Sequence, residues 1–215
     1  MKLREELVRA SEDYKYLLNR GYSRKLALFT INARYNLSNT ERNLLYRCIH
    51  SDEELKVISQ KLRDINSLSG EIVIDGYNIA LTLLSIFNGD PTFICDDGFI
   101  RDINLGKLKN SDTIADVLLW VIEKLNSQVI NVKPAIILDS QISRSGEIAK
   151  SLRERKIKVI LSRSADKDVI LSNSIVCSND FLVILKSHYV VNLIPYLLAS
   201  EENIIVYSGP WSKTL

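Results

Sequence analysis

The sequence is poor in the residues that build many familiar sites. It has two histidines, His50 and His188, and three cysteines, Cys48, Cys95 and Cys177. The cysteines are far apart and odd in number, which predicts buried free thiols in a reducing compartment. No Cys/His spacing matches a zinc site. No nucleophile elbow supports a serine–histidine triad. There is no Gly-x-Gly-x-x-Gly and no Walker A sequence, which disfavours classical dinucleotide and nucleoside-triphosphate binding. No run of about eighteen uncharged apolar residues predicts a membrane-spanning helix. The N-terminus MKLREELVRASEDYK is charged and lacks the apolar core of a signal peptide. The expectation is a cytoplasmic protein without a membrane partner. Eight glycines and four prolines among 215 residues leave little material for long linkers.

What is present divides the chain. Residues 1–69 hold 13 Lys+Arg against 9 Asp+Glu, a balance of +4, and residues 70–215 hold 15 against 17, a balance of −2. In the front, 38-SNTE-41 and 51-SDEE-54 have capping-box spacing, and helices are expected at about 3–19, 23–34, 40–49 and 52–65. The turn-rich 66-NSLSG-70 marks the boundary of a basic helical domain, 1–67, from a second domain, 70–215.

Beyond that boundary apolar strands alternate with helices. Strands are expected at 71–75, 135–139, 157–162 and 174–179, and helices at 79–87, 112–127 (capped by Asp112) and 145–155 (capped by Ser145). A hairpin is expected around 97-DG-98. Such alternation predicts an α/β fold with a mostly parallel sheet flanked by helices, whose ligands bind beyond the carboxyl ends of the strands.

Three of those strands lead into an aspartate: Asp75, Asp139 and Asp180. Carboxylates gathered on one sheet edge repel one another and raise each other's pKa. A divalent cation such as Mg²⁺ or Mn²⁺ removes that penalty, activates water and stabilises a phosphoryl transition state. The plainer reading is that Asp75 braces the turn at Gly76 and Asp180 caps the next helix. Asp97 is either a hairpin residue or a further ligand. Asp102, Asp166, Asp168, Asp116 and Glu123 are less committed acids. At 143-SRSGE-147 a helix start with Arg144, Ser145 and Gly146 could receive a phosphate or be a routine cap. In the front, Arg20, Arg24, Lys25, Arg34 and Arg42 interleave with tyrosines and suit a nucleic-acid backbone with stacked bases; a solvated helical face is the alternative.

Three motifs, 73-VIDGYNI-79, 136-IILDS-140 and 176-VCSND-180, resemble those of NYN-type domains in the PIN-like nuclease superfamily, over roughly residues 70–195. The whole chain resembles the prokaryotic family called domain of unknown function four-three-four, through 17-LLNRGYSRKLAL-28, 33-ARYNLSNTERNLLYR-47, 95-CDDGFIRD-102 and 142-ISRSGEIA-149. The PIN-like resemblance implies a Rossmannoid fold and a metal-dependent endoribonuclease using Mg²⁺ or Mn²⁺, with RNA as partner and a homodimer as one assembly. It implies Asp75, Asp139 and Asp180 as catalytic metal ligands, with Asp97 a candidate fourth, and Asn78 orienting a carboxylate or a phosphate. It also implies an acid carried on a helix, for which Asp97, Asp102, Asp166 and Glu123 are candidates. Arg101 or Arg144, with Ser145 and Gly146, would steady the scissile phosphate. The rival expectations are an RNA-binding protein that does not cut and a small-molecule phosphatase or nucleotide hydrolase.

Overall fold

A computed structural model describes residues 3–103, 111–129, 131–202 and 204–211. Four helices open the chain: α1 (Glu5–Asn19), α2 (Arg24–Tyr35), α3 (Asn39–Cys48) and α4 (Asp52–Lys61). Their ends follow local chemistry. Gly21, at φ +80, takes the left-handed turn after α1. Ser23 caps α2, and both capping boxes close in full, Ser38 with Glu41 and Ser51 with Glu54. α4 stops at Lys61, earlier than its sequence suggests. There the chain leaves helix to make a parallel bridge between Leu62 and Val190.

The body alternates strand and helix: β1 (Gly70–Asp75), α5 (Gly76–Phe87), the hairpin β2 (Thr92–Ile94) and β3 (Ile100–Asp102), α6 (Ser111–Gln128), β4 (Val132–Asp139), α7 (Ser145–Glu154), β5 (Lys158–Ser162), α8 (Ala165–Leu171), β6 (Ile175–Cys177), α9 (Phe181–Lys186), α10 (Leu193–Leu198) and β7 (Tyr207–Ser208). The expected Asp112 cap of α6 falls on a side chain outside the described residues. The main sheet has the order β5-β4-β1-β6 with every pairing parallel. The hairpin joins β7 in a second, three-stranded sheet. The fold is therefore α/β with a parallel sheet covered by helices on both faces. Among the described residues no helix is long and apolar enough to cross a membrane.

The continuous apolar runs of β1 and β4 split by parity. Ile72, Ile74, Ile136 and Leu138 enter the core shared with α5, α6 and α7. Val73 and Ile137 enter the opposite core, with Ala165 and Val169 of α8 and Val183 and Ile184 of α9. Each such buried Val, Ile or Leu side chain stabilises the fold by roughly 1.5–3 kcal/mol. By the same alternation Asp75 and Asp139 belong to the face covered by α8 and α9.

The helical front shares its core with the body. Leu7, Tyr14, Leu44, Leu45 and Cys48 pack in one cluster with Phe93, Cys95 and Ile103 of the hairpin region. Across the sequence boundary Arg47 donates to Asp102 Oδ1 at 2.9 Å, and Lys61 Nζ donates to the Leu185 carbonyl at 2.5 Å.

Candidate functional site

The parallel register brings β1, β4 and β6 to the same edge at their carboxyl ends. Asp75 is paired with Ile137, two residues before Asp139, and Ile74 is paired with Cys177, three residues before Asp180. Gly76 allows the turn that follows. A Cβ there would lie 2.6 Å from Leu138 Cδ2 and 3.1 Å from the Ile137 carbonyl oxygen, so only glycine lets α5 start this close to β4. α5 accordingly begins at Gly76, three residues before the expected start.

Asp75 is buried. Its Oδ2 accepts from Ser178 Oγ at 2.7 Å, and the Asn78 amide also bonds it. Burial pushes its pKa up to about 7, with Asp166 and Asp180 pushing the same way. Asp166, in the first turn of α8, has an exposed residue surface but is raised by the partial burial of its carboxyl and then by Asp180 and Asp139. Four carboxylates thus act on one another at this edge, from three strand ends and one helix. Two of them also do local work. Asp180 Oδ1 caps α9 by accepting from Leu182 N and Val183 N, and Asp139 Oδ1 accepts from Gln141 N at 2.8 Å. Among the described residues none of the four is in an ion pair.

Around them Asn78 Oδ1 accepts from the Asn179 amide at 2.7 Å, which ties α5 to the loop after β6. The Tyr77 hydroxyl is buried without a partner among the described residues; burial and then Asp139 push its pKa up to about 12. Four carboxylates with no ion pair among the described residues offer the type of oxygen donor that a hard divalent ion takes.

Other expected residues lie elsewhere. Both oxygens of Asp97 accept from Arg101, at 2.8 and 2.6 Å, so Asp97 is neutralised inside the hairpin and does not join the edge quartet. Arg101 is buried as well. Burial works against its charge, yet Asp97 beside it holds it protonated. Its Nε donates to the Asn179 carbonyl at 2.6 Å, so it braces the loop between Ser178 and Asp180 rather than facing a phosphate. Asp102 is paired with Arg47. Asp116, Glu123 and Asp168 are exposed. Ser145 does not cap α7: the cap position is Arg144, at φ +65, and the Ser145 amide and hydroxyl donate to the Ile142 and Ser140 carbonyls. Arg144 pairs with Glu147, whose charge occupies the first turn, and Gly146 is exposed. That helix start has little left for an anion.

Among the described residues one group of three or more potential ligands gathers within 4.8 Å: His50, Asp96 and Asp97. The strand-end carboxylates are spaced more widely than that. The tighter group is already balanced, since Arg101 takes Asp97, while Lys15 and His50 take Asp96. Burial drives His50 down to about 3, which keeps it neutral. An added dication would have to displace Arg101 or Lys15.

The basic front is partly committed too. Arg24 donates to the Ile49 carbonyl and Glu54 and covers the Phe181 ring at 4.1 Å, clamping α2 to α4 and α9. Arg34 meets Asp13, and Arg42 meets Asn39. Lys25 and Arg20 are exposed, Arg20 over the Tyr16 ring.

The chain is matched in two blocks, by the family described as Protein of unknown function (DUF434) over residues 6–61 and by that described as Domain of unknown function (DUF5616) over residues 65–196. An uncharacterized protein of Methanocaldococcus jannaschii is 35% identical over 201 residues, covering 86% of this chain and 93% of its own. No solved structure matches.

Proposed function

Because the chain belongs to the family described as Domain of unknown function (DUF5616), its chemistry has to be read from its own residues, and we propose a metal-dependent ribonuclease of the PIN-like kind. The observation that carries this reading is the quartet Asp75, Asp139, Asp166 and Asp180. Asp75 and Asp166 are raised in part by their acidic neighbours, and among the described residues none of the four meets a cationic side chain, whereas Asp96, Asp97 and Asp102 each have one. Mg²⁺ or Mn²⁺ held by these acids would supply Lewis acidity toward a phosphodiester and a more acidic water. The remaining work falls to the chain. Ser178 fixes one oxygen of Asp75. The Gln141 amide on Asp139 and the helix-capping amides on Asp180 fix one oxygen of each, so their carboxylates are held before any ligand arrives. Asn78 keeps the Asn179 amide in place. Exposed Arg20 and Lys25 on the front helices suit contact with the RNA backbone.

The test is cleavage of mixed structured and single-stranded RNA with added Mn²⁺, by wild type, EDTA-treated protein, Asp139→Asn and Asp166→Asn. Cutting by wild type alone supports the nuclease. Equal cutting by all four rejects it. Salt-sensitive RNA binding with no cutting would make the protein a binding module. Turnover of a small phosphate ester without RNA cleavage would make it a phosphatase.

A further inference from the structure

Cys48 ends α3 and Cys95 follows β2, 47 residues later in the chain. Their sulfurs lie 2.7 Å apart, closer than two unbonded sulfurs ordinarily pack. A disulfide needs about 2.05 Å, so a small closing movement separates contact from bond. Both are free thiols and both are buried. The backbones are held together as well: the Asp96 amide donates to the Cys48 carbonyl at 3.0 Å. The hairpin side is tied back on itself, with the Cys95 amide donating to the Phe99 carbonyl at 2.9 Å. Two ion pairs pin the same junction, Lys15 to Asp96 and Arg47 to Asp102. Neither thiol belongs to the carboxylate site.

We propose that Cys48 and Cys95 form a modifiable dithiol, oxidised by small-molecule disulfides of the glutathione class into a covalent bond between α3 and the β2–β3 hairpin. The chemistry is two successive exchanges. One cysteine thiolate attacks a sulfur of the oxidant, breaking its S–S bond and releasing one small thiol. The second cysteine thiolate then attacks the mixed disulfide at the protein sulfur, and the other small thiol leaves. Cys48 and Cys95 lose two protons and two electrons; the electrons reduce the oxidant, and the protons end on the two released thiols.

The surroundings set the character of the reaction. Burial pushes the Cys48 thiol well above its usual range, so little of it is thiolate in the closed fold. The oxidant gains access when the hairpin parts from α3, which makes oxidation slow at low temperature. Once formed, the bond closes a loop containing α4, β1 and α5. It removes freedom from the unfolded chain and little from the folded one, where the two sides already touch. Cys177 is buried in β6 within the other core, so it is the internal control.

The full-length protein is held in glutathione buffers of stepped oxidised-to-reduced ratio, both at 25 °C and near its melting midpoint so that access does not limit the reaction. It is then alkylated under denaturing conditions and peptide-mapped. The expected product is one linked peptide joining Cys48 to Cys95, with Cys177 alkylated. Its melting temperature should rise by on the order of 10 °C, and reduction should reverse this. Cys177→Ala should behave like wild type, while Cys48→Ala and Cys95→Ala should show no rise. The proposal is overturned if both thiols stay alkylatable in oxidised glutathione near the midpoint. Separate, stable glutathione adducts on the two cysteines, or a linked peptide that contains Cys177, would overturn it equally.

Discussion

The Ser178 hydroxyl donates to Asp75 Oδ2 at 2.7 Å, and the Asp180 amide donates to the same Ser178 oxygen at 3.1 Å. One serine thus joins the end of β1 to the turn that carries Asp180. Ser178→Ala removes a donor from a buried carboxylate, with an expected cost of about 1–3 kcal/mol. The loss should be larger at pH 8, where Asp75 is charged, than at pH 5. Urea unfolding at both pH values measures it, and equal losses would separate Ser178 from the charge on Asp75.

Burial raises Asp75 from 3.8 to about 7 in the folded protein. Between those values the folded chain keeps a proton that the unfolded chain has released. The contribution of this group to stability therefore falls as pH rises from about 4 to about 7 and is flat above that. In EDTA, Asp75→Asn should melt higher than wild type at pH 8 and at nearly the same temperature at pH 4. Thermal melts across that range decide it; a gap that does not change with pH would contradict the assignment.

Asp166→Asn and Asp139→Asn should each lower RNA cleavage by on the order of 10²-fold or more, with little change in melting temperature. Asp97→Asn should behave in the opposite way. It leaves buried Arg101 without its counter-charge, at a cost of about 3–5 kcal/mol. Its residual activity should track the folded fraction. Parallel rate and unfolding measurements on the three variants separate acids at the edge from the acid inside the hairpin.

Gly76→Ala places a methyl 2.6 Å from Leu138 Cδ2 and 2.8 Å from Ile136 Cγ2. The expected cost is about 1–3 kcal/mol, with activity reduced because Asp75 precedes the displaced turn. Gly146→Ala meets nothing within 4 Å at the start of α7 and should be neutral or slightly stabilising. Denaturant midpoints of the pair compare a crowded glycine with an open one.

Much of the architecture was legible because its causes are local. The two Ser-x-x-Glu boxes, the Asp-Gly hairpin and the apolar strands each carry their signal within a few residues. Asp75, Asp139 and Asp180 could be placed on one edge from strand direction alone. The helix-borne acid could not be chosen from among Asp97, Asp102, Asp166 and Glu123. The choice depends on which acids meet a cation: Arg101 lies four residues from Asp97, but Arg47 lies 55 residues from Asp102. Arg24 shows the same limit. Its sequence neighbours are basic and aromatic, yet its guanidinium is taken by Glu54 and Phe181, from distant parts of the chain. Ser145 has the residue type of a cap, but the left-handed Arg144 takes that position and moves the start of α7 by one residue.

The core shared by α1–α3 and the hairpin also orders events during synthesis. The first helices leave the ribosome with Leu44, Leu45 and Cys48 unburied, and Phe93 and Ile103 arrive roughly fifty residues later. Tyr207, which packs against Phe93 with ring centroids 5.6 Å apart, comes later still. The front therefore cannot finish folding as an N-terminal unit ahead of the rest. It waits with an apolar face exposed until those later residues are made, which concentrates the risk of aggregation in the nascent protein.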